Sequence, residues 1–274
     1  MLACRSVCRI IYIERYDFYA AIIYVTEVER QSVLRMFEWE NLAVSGDSQE
    51  YLQAYIERDG RKLKIVSAMQ DEKGMTASAT LTTKMINHFH PEYVIMPGIA
   101  AGTGSLKTEK ANQVFGDVLL ATSVWNFSNG KYVPPYKAEL VFGDIGFNPR
   151  PTTVKIEGDY FNDIRKYLES DQSEFCIHTG PLACGSAVVA DKNALQLRIM
   201  KCFDEIEGLE MESYGVAYAA THACEPEPKV IIAKSVCDFA DERKDDSYQK
   251  FASYTSCGFV KDLLEKVLPY GAAQ

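Results

Sequence analysis
The sequence predicts an α/β fold built on a buried central sheet. Three observations carry this. Ala20-Ala21-Ile22-Ile23-Tyr24-Val25, Tyr93-Val94-Ile95-Met96 and Val230-Ile231-Ile232-Ala233 are continuous apolar runs, the pattern of strands covered on both faces, as central parallel strands are. Between them, apolar residues recur at helical spacing. No repeat or low-complexity linker divides the 274 residues, so one domain is expected over residues 17–270, after an extension over residues 1–16.

Each element follows from local signals. Thr26 can cap the helix after the first strand, and Glu29 three positions on completes a capping box. Val33, Leu34 and Phe37 form that helix's apolar face. Leu52–Ile56 and Leu63–Ser67 read as hairpin strands about the Asp59-Gly60 turn. A small-residue helix is expected over Ala77–Phe89, closed by His90-Pro91. The strand Tyr93–Met96 leads into a glycine-rich turn, Gly98–Gly104. Val118–Ala121 reads as a strand and Trp125–Pro135 as a polar, aromatic loop. Helices are expected over Thr152–Ser170, with Phe161, Ile164 and Leu168 on one face, and over Asp191–Cys202. Met211–Cys224 reads as a buried helix, and Asp245–Val267 as a long closing helix.

Composition narrows the function. The net charge of −9 argues against a nucleic-acid groove, which needs a basic face. A small anionic substrate remains compatible, because a local pocket can oppose the global field. No run reaches the roughly 20 apolar residues of a membrane span, and Glu14 and Arg15 interrupt the start as a signal peptide. The eight cysteines form no C-x-x-C pair, and no histidine stands at ligand spacing from them. Free thiols in a reducing cytoplasm are therefore expected, with no metal site and no cofactor.

Two carboxylates stand in awkward places. Glu212 opens the small-residue run Ser213–Ala220, and Asp238 follows the buried strand Val230–Ala233. A charge at the end of a buried strand costs several kcal/mol unless it is paired or working, and such strand ends are where open α/β sheets bind ligands. A helix-start acid and an N-cap are the ordinary alternatives.

These stretches belong to an ordered set. Gly98-Ile99-Ala100-Ala101-Gly102, Gly116-Asp117-Val118-Leu119-Leu120-Ala121, Met211-Glu212 and Cys237-Asp238-Phe239-Ala240-Asp241 resemble, in order and spacing, motifs of the nucleoside phosphorylase and nucleosidase superfamily. Within it the resemblance is to methylthioadenosine/S-adenosylhomocysteine nucleosidases and their phosphorylase-like relatives, over about Asp17 to Leu268. It implies a three-layer α/β/α domain with a central mixed, partly barrel-like sheet. It also implies a purine nucleoside or nucleotide substrate, with adenine as the base, and a homodimer or larger assembly. Tyr132, Pro134, Pro135 and Tyr136 are candidate interface residues.

By this resemblance Asp238 is the general acid toward purine N7, and Glu212 accepts the ribose 2′ and 3′ hydroxyls beside Met211. Glu29 orients the attacking water, and the capping box is the competing explanation for that residue. Ala100, Ala101 and Gly102 line the site. Val188 and Val189 fall where the family stacks an aromatic on the base, and Cys237 where it usually has Ser. Tyr248 falls where it covers the 5′ substituent, and Lys131 is a candidate for a 5′-phosphate. Pro97 before Gly98, and the acidic Glu27 and Glu29 after the first strand, leave Arg30 as the nearby base. Phosphate binding favours the guanidinium fork, so water is the expected nucleophile. A phosphorylase and a non-catalytic nucleoside-binding relative are the competing readings.

Overall fold
The structure is a computed structural model that describes residues 16–104, 112–142, 144–170, 173–194, 199–203 and 205–271. In chain order its elements are β1 (Phe18–Tyr24), α1 (Glu27–Leu34), β2 (Glu40–Leu42), β3 (Tyr51–Arg58), β4 (Arg61–Met69), α2 (Met75–Phe89), β5 (Pro91–Gly102), β6 (Val118–Asn126) and β7 (Gly130–Val133). Then come β8 (Leu140–Phe142), β9 (Ile145–Pro149), β10 (Thr152–Lys155), α3 (Phe161–Glu169), β11 (Ile177–Cys184), the short turn α4 (Lys192–Ala194), β12 (Gly208–Glu210), α5 (Ser213–Thr221), β13 (Lys229–Asp238) and α6 (Gln249–Asp262).

The apolar runs are the central strands, as expected. β5 pairs in parallel with β1 on one side and β13 on the other. β13 also pairs antiparallel with β6, β6 in parallel with β11, β11 with β12, and β12 antiparallel with β5. These five strands close a ring. β1, β4, β3 and β2 extend from β5 as an open wing, and β10 hangs on β6. The sheet is thus mixed and partly barrel-like.

Alternate residues of each central strand feed two cores. Ala21, Ile23, Val94, Met96 and Ile232 pack with Leu81, Met85 and Phe89 of α2 and Val216 and Ala220 of α5. Ala20, Ile22, Tyr93, Ile95 and Ile231 pack with Val33 of α1, Phe161 and Ile164 of α3, and Phe259 and Val260 of α6. Side chains on a strand point alternately to opposite faces, so a run apolar at every position needs helices on both sides. This gives the three layers. Gly215 lets α5 approach closely: a Cβ there would lie 2.1 Å from the Met75 carbonyl oxygen.

Local signals placed several boundaries well. Thr26 caps α1 in a full capping box. The hairpin turn has Asp59 at φ +50° and Gly60 at φ +72°, the left-handed pair such two-residue turns need. His90 ends α2 at φ +37°.

Elsewhere long-range pairing prevails. β5 continues through the expected turn at Gly98, because β13 and β12 pair with it up to Gly102. The expected loop from Trp125 begins as strand: β6 runs to Asn126 between β10 and β11, and Trp125 is buried. β7 joins β8 and β9 in a small separate sheet. The helix expected from Thr152 begins only at Phe161, since Thr152-Thr153-Val154 pair with β6, as β-branched residues favour. The expected helix over residues 191–202 is described only as α4 and a turn at Ile199–Met200, residues 195–198 lying outside the described residues. α5 and α6 start at Ser213 and Gln249. Residues 1–15 of the expected extension also lie outside the described residues, and the Tyr16 hydroxyl donates to the Glu227 carbonyl.

Candidate active site
A cavity of about 460 Å³ opens where β5, β13, β12 and the starts of α1 and α5 meet. Glu29, Glu212 and Asp238 all line it, and each is held by a different local device.

Glu29 divides its two oxygens. Oε2 accepts the backbone N–H groups of Thr26 (2.8 Å) and Val25 (3.0 Å), which completes the capping box. Oε1 reaches across to β5 and accepts the Ile99 N–H at 3.1 Å. The residue therefore caps its helix and faces the cavity at once. Lys234 Nζ lies 4.0 Å from Oε1, both side chains being almost wholly buried, and donates to the Pro97 carbonyl at 3.4 Å. Gly98 makes room for this contact. It sits at φ +147°, and a Cβ there would meet Glu29 Oε1 at 2.2 Å and Lys234 Nζ at 2.8 Å. No motif drew attention to Lys234, although a lysine within an apolar strand is itself an anomaly.

Glu212 sits at the N-terminus of α5, and its Oε1 accepts the Gly74 N–H at 2.8 Å. The α5 start is capped instead by Glu210, whose Oε2 accepts N–H groups from Glu212 (2.9 Å) and Ser213 (2.8 Å). Glu210 is buried and also lines the cavity. Burial, then the Glu210 charge, push the Glu212 carboxyl from its ordinary 4.5 up to about 7. Its folded value lies above its unfolded one. The stability it contributes is therefore full below about pH 4.5 and is lost as pH rises through about 7.

Asp238 ends β13. Its Oδ1 accepts the Ala240 N–H at 2.9 Å, the turn being closed by Ala240 at φ +52°. Its Oδ2 takes the Cys237 thiol at 3.4 Å and an ion pair from Lys244. Cys237 thus supplies a donor where the family usually has Ser. Burial and the neighbouring Asp238 charge hold that thiol far above its ordinary range.

Met211, Ala100, Ala101, Val188 and Val189 line the cavity. Val188 is exposed at its edge, and Val189 packs on a small cluster with Trp125 and Phe127. Phe127, at the end of β6, brings an aromatic ring to the cavity wall that the valines lack. Three expected residues, Gly102, Tyr248 and Lys131, are elsewhere. Gly102 pairs with Gly208 of β12 and lies against Gln113. Tyr248 stacks on Phe115 at 3.8 Å with the planes 4° apart, so Asp246 and Gln249 represent that segment in the lining. Lys131 stands exposed on β7, outside the lining. Lys73 and Lys244 are the lysines that line it. Arg30 pairs with Glu27 at 3.6 Å.

The sequence profile of the Phosphorylase superfamily matches residues 30–268. The chain belongs to this superfamily. Glu29 lies one residue before the matched span. The chain is 26% identical over 246 residues to the uncharacterised protein y4jS of Sinorhizobium fredii, covering 84% of this chain and 56% of that protein. It is 24% identical over 234 residues to the ATP nucleosidase Cap17 of Escherichia coli, covering 76% of this chain and 42% of that protein. It thus spans about half the length of these relatives. Among solved structures, a methylthioadenosine/S-adenosylhomocysteine nucleosidase of Neisseria meningitidis superposes with a TM-score of 0.68 at 21% identity, over 90% of this chain and 98% of that one. A similar putative nucleosidase of Borrelia burgdorferi, bound to adenine, gives 0.70 at 20% identity, over 89% and 98%. These likenesses establish the phosphorylase-like α/β fold.

The buried Glu29–Lys234 contact is open to a double-mutant cycle. Lys234→Met strands a buried carboxylate and should lower unfolding stability by about 3 kcal/mol, read as a shift in urea midpoint. Glu29→Gln in the same chain should restore much of that loss. Additive losses would show that the two groups do not interact.

Proposed function
We propose that the chain is an N-glycosyl hydrolase that releases a purine, adenine in the leading reading, from a nucleoside or nucleotide. One observation carries this reading: three carboxylates from three separate elements, Glu29, Glu212 and Asp238, converge on one cavity. Each meets a different need of the reaction.

Breaking the C1′–N9 bond sends its electron pair into the base, and a proton at N7 lets the purine leave neutral. Asp238, released from its ion pair with Lys244, takes that proton from solvent and passes it to N7. Its Oδ1 is occupied by the Ala240 N–H, so Oδ2 faces the base once Lys244 yields. The sugar becomes oxocarbenium-like, and a water on Glu29 Oε1 attacks C1′ and gives its proton to Glu29. Lys234 holds Glu29 in place and offsets its charge. Glu212 accepts the 2′ and 3′ hydroxyls, hydrogen bonds worth about 1.5–3 kcal/mol each when the acceptor is charged. Met211, Val188, Val189 and Phe127 enclose sugar and base, and Ala100 and Ala101 form the β5 wall.

Glu29 also favours water over phosphate. A carboxylate in the attack position repels an anion, and Arg30 is turned to Glu27. For the 5′ substituent, Lys73 at the cavity edge supports a second reading in which that group is a phosphate. Cys176, Cys184, Cys224, Cys237 and Cys257 carry free thiols, and among the described residues no helix is long and apolar enough to cross a membrane. Both suit a cytoplasmic enzyme. The small sheet exposes Tyr132 and Ile145 on one face, and the turn after β7 exposes Tyr136, apolar surface that a second copy would cover in a two-fold dimer.

Adenine release from methylthioadenosine, S-adenosylhomocysteine and ATP, with and without phosphate, tests the reading. Turnover should be independent of phosphate, and Asp238→Asn should lower kcat by about 10²–10⁴. A ribose 1-phosphate product would make the enzyme a phosphorylase, and tight binding without turnover a non-catalytic relative. Because Glu212 must be ionised to accept both hydroxyls, ribonucleoside binding should tighten as pH rises through about 7. Glu212→Gln should flatten that dependence in a calorimetric titration; an unchanged pH profile would remove the clamp role. Light scattering should give twice the 30.8 kDa of one chain, whereas a monomer mass would reject the dimer.

A further inference from the structure
β6 and β11 begin side by side, on a stretch of surface lined by none of the cavity residues. They run in parallel with Val118 opposite Ile177, and the Val118 N–H donates to the Cys176 carbonyl at 2.8 Å. The residues preceding this pair, Asp117 and Cys176, are therefore level. Cys176 and His178 are two apart on one strand, which puts them on the same face. His178 Nε2 lies 2.8 Å from Asp117 Oδ2 and 3.9 Å from Cys176 Sγ. One donor atom from each residue falls within 4.8 Å of the other two.

A single ring nitrogen faces both partners. A Cys-His-Asp proton relay needs the imidazole to use a different nitrogen for each neighbour, so this cluster is not built as one. Three Lewis bases converging on a point is instead the arrangement of a cation site. We propose that Asp117, Cys176 and His178 form a site for a zinc-class divalent cation, with three protein ligands and a fourth position open to solvent.

The donor set selects the ion. Thiolate, imidazole and carboxylate together suit zinc, whereas magnesium and calcium take oxygen ligands. At bond lengths of about 2.0–2.3 Å, a tetrahedral ion spaces its donors by about 3.3–3.7 Å. The observed 2.8 and 3.9 Å straddle that range, so small side-chain rotations complete the site. Asp117 is held in place, its Oδ2 also accepting the Val114 N–H at 2.9 Å. It is buried, as is most of the His178 side chain, while Cys176 is exposed and gives the ion its entry. On binding, the thiol proton goes to solvent, and the imidazole offers the Nε2 lone pair to the metal.

Chain connectivity gives the site a structural consequence. The Asp117 carbonyl accepts the Val236 N–H at 2.9 Å, and the Gly116 N–H donates to the Val236 carbonyl at 2.9 Å. Val236 is two residues before Asp238. The ion would staple β11 to β6 one strand pairing away from the end of β13. Sequence reading expected no metal, because Cys176-x-His178 is shorter than finger-type spacing and Asp117 is distant in the chain.

The test uses the full chain, stripped with a chelator and titrated with Zn²⁺ against a chromogenic competitor, then with Co²⁺ as a spectroscopic probe. One equivalent should bind, with release of one proton and a thiolate-to-cobalt charge-transfer band. Cys176→Ser should abolish the band, and Cys176→Ser and His178→Gln should each weaken zinc binding by at least about tenfold. Cys224→Ser, at another exposed cysteine, should change nothing. Both Cys176→Ser and Cys224→Ser replace exposed side chains, and near-UV circular dichroism checks their fold. Zinc binding unchanged in Cys176→Ser, or none at micromolar zinc, would overturn the proposal.

Discussion
Everything in this molecule hangs on β13 pairing with two strands at once. Its residues Lys229–Val236 run beside β5, and Ala233–Ser235 also pair with β6. Through those bonds an open α/β sheet becomes a ring of five strands. The ring carries the end of β13 and the bend of β5 to the same place, so that Asp238 pairs opposite Ala101. Buried backbone groups must find partners, and a central strand that lost either neighbour would leave a row of them unpaired. The cavity is therefore as fixed as the sheet itself.

That fixed frame carries a large electrostatic load. Glu29, Glu210, Glu212 and Asp238 are all buried within the same wall. Four carboxylates in a low-dielectric pocket repel one another strongly unless cations and oriented dipoles offset them. Lys234 and Lys244 supply the cations. Backbone N–H groups of Val25, Thr26, Gly74, Ile99, Ser213 and Ala240 supply the dipoles. Burial and the neighbouring Glu210 charge raise the Glu212 carboxyl to about 7. The site is preorganised in the sense that charge stabilisation in enzymes requires: its acceptors are fixed before any ligand arrives.

Local order settles a good part of this. The runs Ala20–Val25 and Val230–Ala233 could only be strands covered on both faces, because nothing in them is polar enough to meet water. Thr26 and Glu29 lie three residues apart, so the capping box was legible, and so was the Asp59-Gly60 turn. The four ordered motifs pointed to the superfamily, and with it to Asp238, Glu212 and Met211 as site residues. Thr152–Ser170 misled because its later half has real helical spacing, while its first residues answer to Asn126 and Trp125 across a sheet.

What the sequence by itself determined was thus the identity of the buried strands, the caps, the turn and the acidic residues, since each depends on neighbours within a few positions. Only the tertiary structure decided who meets whom. Glu29 finds Ile99 across 70 positions, Glu212 finds Gly74 across 138, and Lys234 finds Pro97 across 137. Tyr248 turned to Phe115 rather than to the cavity, and Phe127 entered it, because ring stacking is settled by three-dimensional neighbours. Asp117, Cys176 and His178 gather for the same reason: strand register, which no local pattern encodes, set them level.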